Sequence, residues 1–135
     1  MSAEEPEITE VVNAEMPLGS TLGIRTYGGP EEVEATLAWA PELCTAGGVL
    51  HGGVLMALAD SAGAVCAFLN LPRGGRTVTI ESKTNFFGAV GEGVVTARSK
   101  PLHRGRTTVV IETDLFDANG RHIARTTQTQ AVLAA

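Results

Sequence analysis

The sequence predicts an α+β domain in which a curved antiparallel sheet wraps one long central helix. Three observations predict it. Residues 54–69 form a proline-free run of helix formers and small residues, apolar at nearly every position; a helix apolar all round has to be enclosed rather than lie on a surface. Residues 76–133 divide into four strand-like stretches of about ten residues each, longer than the usual five or six and long enough to curl around a helix. Residues 24–39 alternate with the period of two that marks half-buried strands.

Each element follows in chain order. Residues 1–15 hold Glu4, Glu5, Glu7, Glu10 and Glu15 with no Lys or Arg, which predicts an acidic, disordered, solvated tail ahead of a single domain over residues 16–135. Ile24 and Tyr27 belong to a first short strand. Val33, Ala35, Leu37 and Trp39 belong to a second, and Gly28, Gly29 and Pro30 supply the turn of a hairpin. Residues 40–51 form a loop. The helix follows, and its 17-residue extent over 53–69 with Asp60 at the middle argues against a membrane span. Residues 71–75 turn the chain into strands over 76–87, 93–103, 106–116 and 121–133. Asp117, Ala118, Asn119 and Gly120 give a hairpin signal between the last two.

A chain of 135 residues with 44% apolar content supports one compact core. Six aromatic residues, Trp39, Tyr27, Phe68, Phe86, Phe87 and Phe116, are too few for a base-stacking surface that holds single-stranded nucleic acid. The net charge of −5 belongs to the tail, because the remaining ten acids and ten bases cancel. Residues 71–135 carry nine bases against five acids, enough to meet an anion but far from the basic stripe of a DNA binder. The amino terminus lacks the basic start and apolar run of a signal peptide, which predicts a cytoplasmic location. Cys44 and Cys66, 22 residues apart, fit small buried hydrophobes better than a disulfide framework or zinc site.

Two features carry chemistry. Asp60 is the only formally charged residue between Glu42 and Arg73; a carboxylate there needs partners or a cavity. A capping or subunit-pairing aspartate is the alternative. Gly47-Gly48-Val49-Leu50-His51-Gly52-Gly53 leads directly into the helix, whose amino terminus presents unpaired N–H groups and partial positive charge. Without a Cβ at Gly52 or Gly53, a ligand oxygen can approach those groups as an oxyanion site requires; a simple tight entry turn explains the glycines equally well. Eight helical residues separate Gly52 from Asp60 by roughly 12 Å along the axis. If they act on one carbonyl, Asp60 comes from a second copy across a twofold axis, and the working unit is a dimer with two composite sites. The small face of Ala59, Ala62, Gly63 and Ala67 would allow close packing around that axis. A third cluster, Arg98, Lys100, His103, Arg104, Gly105 and Arg106, suits a phosphorylated ligand or, as readily, a basic strand edge protected from aggregation.

The motifs 48–54 (GVLHGGV), 58–60 (LAD), 84–87 (TNFF), 101–106 (PLHRGR) and 117–120 (DANG) resemble, in order and spacing, the hotdog-fold acyl-CoA thioesterases of the PaaI-like group. The resemblance covers residues 18–133. It implies sheets joined edge to edge in a homodimer, often paired again into a tetramer. It implies a thioester carbonyl at the helix amino terminus receiving the Gly52 N–H, Gly53 beside it, His51 positioning the thioester or the loop, and Asp60 of the partner acting as nucleophile or general base toward water. It further implies that Thr79 assists near the carboxylate, and that Arg104, Arg106 and Thr107 lie in a CoA-phosphate region. Met56 and Phe86, with Leu55 and Phe68, are candidates to line the acyl pocket. No metal and no cofactor beyond the CoA of the substrate is implied. This chain departs from the pattern at Thr45, where relatives often carry Asn or Gln to orient water or thioester, and at Gly88, where many carry Arg or Ser. The expected activity is hydrolysis of an acyl-CoA, a small-molecule substrate, with no nucleic acid or membrane partner. A non-catalytic acyl-CoA sensor, a hotdog dehydratase or hydratase and a purely structural oligomer are the alternatives.

Overall fold

A computed structural model describes residues 6–135. Two short helices, α1 (Thr9–Glu15) and α2 (Pro17–Leu22), precede strands β1 (Arg25–Gly28) and β2 (Val33–Ala38) and a single 3-10 turn, Pro41–Leu43. The long helix α3 (Gly52–Phe68) follows, then β3 (Arg76–Phe86), β4 (Val94–Arg104), β5 (Thr108–Phe116) and β6 (His122–Leu133). All strands join one sheet in the order β1-β2-β4-β5-β6-β3, antiparallel throughout. The helix lies across the concave face of this sheet and packs on β2, β4, β5, β6 and β3. The connection from β2 through α3 carries the chain to the opposite edge, where β3 is laid down.

The period-two strands bury every second residue: Val109, Ile111, Thr113 and Leu115 of β5 face the helix. With Leu37, Leu58 and Ile123 they form the fully buried centre of the core, each large aliphatic side chain contributing about 1.5–3 kcal/mol. Asn70 closes α3 by donating to the Cys66 carbonyl at 2.8 Å, and it reaches Pro30 O at 2.8 Å, which ties the helix end to the β1–β2 turn. Cys66 is fully buried and Cys44 half-buried, both as free thiols. No helix among the described residues is long and apolar enough to cross a membrane.

Two expectations are corrected. The acidic tail is ordered from residue 6: Gly28 donates to Pro6 O and Ile8 to Thr26 O, each at 2.9 Å, so the segment covers the β1 edge before α1 begins. Ile8, Val12 and Met16, spaced by four, form an apolar stripe that packs on the core with Val12 buried; the acidic composition masks this periodicity. The part of the tail expectation over residues 1–5 lies outside the described residues. Second, Ala59, Ala62, Gly63 and Ala67 do not form a free face. They are buried against the chain's own sheet, and the exposed stripe of α3 instead carries Gly53, Met56, Asp60 and Phe68.

The far edge, β3, differs from β1. Val78 is 53% exposed and Ile80 61%, and no described residue pairs with its outer side. Its register against β6 slips between Thr79 and Glu81, so Ile80 is a bulge. Thr77 and Thr79 turn toward β6 partners before it, and Thr84 and Phe86 turn inward after it.

Candidate active site

The turn before α3 is built backward from the helix. Gly47 and Gly48 adopt φ of +85° and +74°, conformations that glycine reaches without strain. They let the Thr45 N–H donate to Val49 O at 2.8 Å and the His51 N–H to Leu43 O at 2.9 Å. His51 is the N-cap, with its Nδ1 accepting the Gly53 N–H at 2.7 Å. A Cβ on Gly53 would lie 2.9 Å from that nitrogen, so the cap depends on glycine there. The Gly53 N–H is therefore committed to the cap. The Gly52 N–H has no acceptor among the described residues. It stands at the positive end of the helix with the half-exposed Phe86 ring packed against its Cα, 3.3 Å from where a Cβ would be. With Nδ1 of His51 facing Gly53, Nε2 is the other ring nitrogen of this exposed side chain. Thr45 is exposed in the same turn.

Asp60 lies two turns further along α3, exposed, with Met56 one turn before it. Its Oδ1 accepts a hydrogen bond at 3.0 Å from Nε2 of Gln128, a β6 residue only 1% exposed. Two positions along the same inward face of β6, the buried Gln130 donates to Thr79 Oγ1 at 2.8 Å and accepts from Thr77 Oγ1 at 3.0 Å. Because the Thr79 oxygen accepts there, its own proton is free to point elsewhere. Residues i and i+2 of a strand stand roughly 7 Å apart, so neighbouring inward positions of β6 reach Asp60 and Thr79. Neither glutamine stands out by sequence motif. The usable signal is that Thr126, Gln128 and Gln130 are polar at the alternate positions of β6 that should be apolar.

The basic turn stands elsewhere. Thr107 O accepts from Val132 N at 2.9 Å, and Thr108 pairs with Ala131, so Arg104, Arg106 and Thr107 sit at the sheet end where β3 begins. That end adjoins the carboxyl terminus of α3, whereas Phe86 and Gly52 mark the other end. One chain thus separates the helix amino terminus from the basic turn by nearly the helix length, roughly 25 Å, with Asp60 between them. Arg104 pairs with Glu31 at 2.9 Å, both side chains well exposed, an ion pair worth at most about 1 kcal/mol and readily exchanged for another anion. At Gly88 a Cβ would stand in ordinary van der Waals contact with the Arg121 guanidinium at 3.4 Å, so space alone does not require glycine there.

The family model described as the thioesterase superfamily matches residues 47–124, from the turn before α3 into β6. The chain belongs to the thioesterase superfamily. This thioesterase is 32% identical over 105 residues to 1,4-dihydroxy-2-naphthoyl-CoA hydrolase of Escherichia coli, covering 78% of this chain and 77% of that one. It is also 32% identical over 113 residues to proofreading thioesterase EntH of Cronobacter turicensis, covering 83% and 82% of the two. Among solved structures, a variant of a thioesterase of Pseudomonas aeruginosa superposes with a TM-score of 0.86 at 29% identity over 93% of each chain. The curved sheet around a central helix is the hotdog fold of these thioesterases, and the protein is a thioester hydrolase.

Proposed function

We propose that this thioesterase hydrolyses an acyl-CoA to a free carboxylic acid and CoA in a site shared by two copies of the chain. The observation that carries this is the split arrangement on α3: a Gly52 N–H without an acceptor among the described residues at the helix start, and an exposed carboxylate held by Gln128 two turns away. A second copy whose helix runs antiparallel brings its Asp60 beside Gly52, and its basic turn comes from the same side. Two features favour such a copy: the unpaired β3 edge with Val78 and Ile80 exposed, and the exposed α3 stripe of Met56 and Phe68 around Asp60. The name of the E. coli relative, a CoA hydrolase, favours a CoA ester.

In the reaction the Gly52 N–H receives the thioester oxygen as it gains charge. Asp60 of the partner either takes a proton from an attacking water or attacks the carbonyl carbon itself. The bond from carbon to sulfur breaks, CoA departs as a thiolate that takes up a proton, and water supplies the second oxygen of the acid. Met56 and Phe86 border the acyl group, and Arg104, Arg106 and Thr107 face the CoA phosphates. The location is cytoplasmic, where CoA esters are met. The test follows thiol release from a panel of acyl-CoAs, together with the native mass. Wild type turns over at least one of them as a dimer or tetramer, and Asp60→Asn loses the activity; full activity in Asp60→Asn overturns the assignment.

A further inference from the structure

We infer that Gln128 is a positioning residue for the Asp60 carboxylate, an assignment that rests on the proposed role of Asp60. It lies outside the span matched by the family model. Nothing about the core calls for an amide at this place. The side chain is 1% exposed, and its Oε1 is buried without a hydrogen-bond partner among the described residues, a condition that destabilises a fold. Its neighbour Gln130 shows the contrast: both ends of that amide are used, one by Thr79 and the other by Thr77. Gln128 uses one end only, and among the described residues the single group it serves is Asp60.

The helix is shaped to admit it. Gly63 stands one turn after Asp60 on α3, and a Cβ there would fall 1.7 Å from Gln128 Oε1 and 2.6 Å from Cδ. No side chain other than glycine leaves room for the amide where it lies. The amide therefore sits across one turn of α3, with its oxygen against the Gly63 backbone and its N–H on Asp60 Oδ1. A carboxylate on an exposed helix face would otherwise sample several rotamers. The hydrogen bond fixes one oxygen and leaves Oδ2 free to face water or the carbonyl carbon, so the contact acts on the chemical step more than on substrate capture.

The test compares kcat and KM of Gln128→Met and Gln128→Asn with wild type, in both the Asp60 and the Asp60→Asn background. Methionine keeps the length and removes the unpaired oxygen, so thermal stability is retained; asparagine keeps an amide that no longer reaches. Each variant is expected to lower kcat about 10- to 100-fold, the worth of a hydrogen bond to a charged group, with KM changed less than about twofold. In Asp60→Asn the same substitutions are expected to have no further effect. Full kcat in either folded variant overturns the assignment, as does an equal loss in both backgrounds. Failure of both variants to fold would assign Gln128 to the core and overturn it too. An inactive Asp60→Asn beside a fully active Gln128→Met removes only the role of Gln128, whereas a fully active Asp60→Asn removes the reading on which it stands.

Discussion

Gly52 offers a rare opportunity to delete a backbone N–H without breaking a helix. It is the first residue of α3, its N–H has no acceptor among the described residues, and His51 before it has φ −60° and ψ 137°. That backbone is what a residue preceding proline prefers, and proline is favoured at the first helical position. The ring carbons of Gly52→Pro would press on Phe86 Cζ at about 3.3 Å, which a half-exposed ring relieves by a small shift. Removing the donor is expected to lower kcat 10²–10³-fold. Combined with Asp60→Asn it tests the sharing of sites. In a mixed dimer one site collects both defects and the other has none. Random pairing of equal amounts makes half the dimers mixed, so about one quarter of wild-type activity returns from two inactive parents. The assay is thiol release after co-refolding the two variants over a range of ratios, with the maximum at equal amounts. Activity no greater than the average of the parents at every ratio would refute the shared site and place Gly52 and Asp60 in one.

Other outcomes follow from single contacts. If His51 caps α3 through Nδ1, His51→Ala costs about 1 kcal/mol in urea unfolding and His51→Asp recovers it; equal stability of all three proteins would refute the cap. Burial on its own would push the Asp114 carboxyl up, but hydrogen bonds from Arg125 at 2.7 Å and His122 at 2.8 Å outweigh it and hold the group below the ordinary carboxylate range. Its contribution is thus complete above the unfolded pKa of about 4 and is lost as pH falls through the lower folded value. The melting temperature of Asp114→Asn should lie below wild type at pH 7 and converge with it in acid; a constant gap would contradict this. Burial pushes the Cys66 thiol up to about 12, against the opposing pull of Arg104, so iodoacetamide at pH 8 should leave Cys66 unmodified until denaturant is added. Mass spectrometry showing native Cys66 alkylated would overturn that.

The sheet and the central helix were legible because period and length both carry information: β5 alternates buried and half-buried residues along its whole length, and α3 starts two residues ahead of the apolar run that predicts it. The site was legible where glycines and a lone carboxylate stand out, at Gly52 and Asp60. Composition misled at the amino terminus, since four glutamates per ten residues obscure a three-residue stripe of Ile8, Val12 and Met16. Small size misled on α3, because alanines and glycines fit equally against a partner or against the chain's own sheet, and only the fold decides which. The glutamines were legible only as polar residues at alternate positions of β6, and their partners were not legible at all. Gln128 meets Asp60 across 68 positions of sequence, and a polar residue looks the same in sequence whether it faces the core or water.

The two edges of the sheet are unequal, and this sets how far the protein can polymerise. A sheet open on both sides can recruit neighbours without end, as fibrils do. Here the β1 side is closed by residues 6–8, which offer one bridge between a proline and a helix rather than a row of free N–H and C=O groups. Among the described residues only β3 remains open, and two copies joined through it would use up the last open edge of both. Growth along the sheet would therefore stop at two chains, and any larger assembly would have to be made by surfaces other than strand edges.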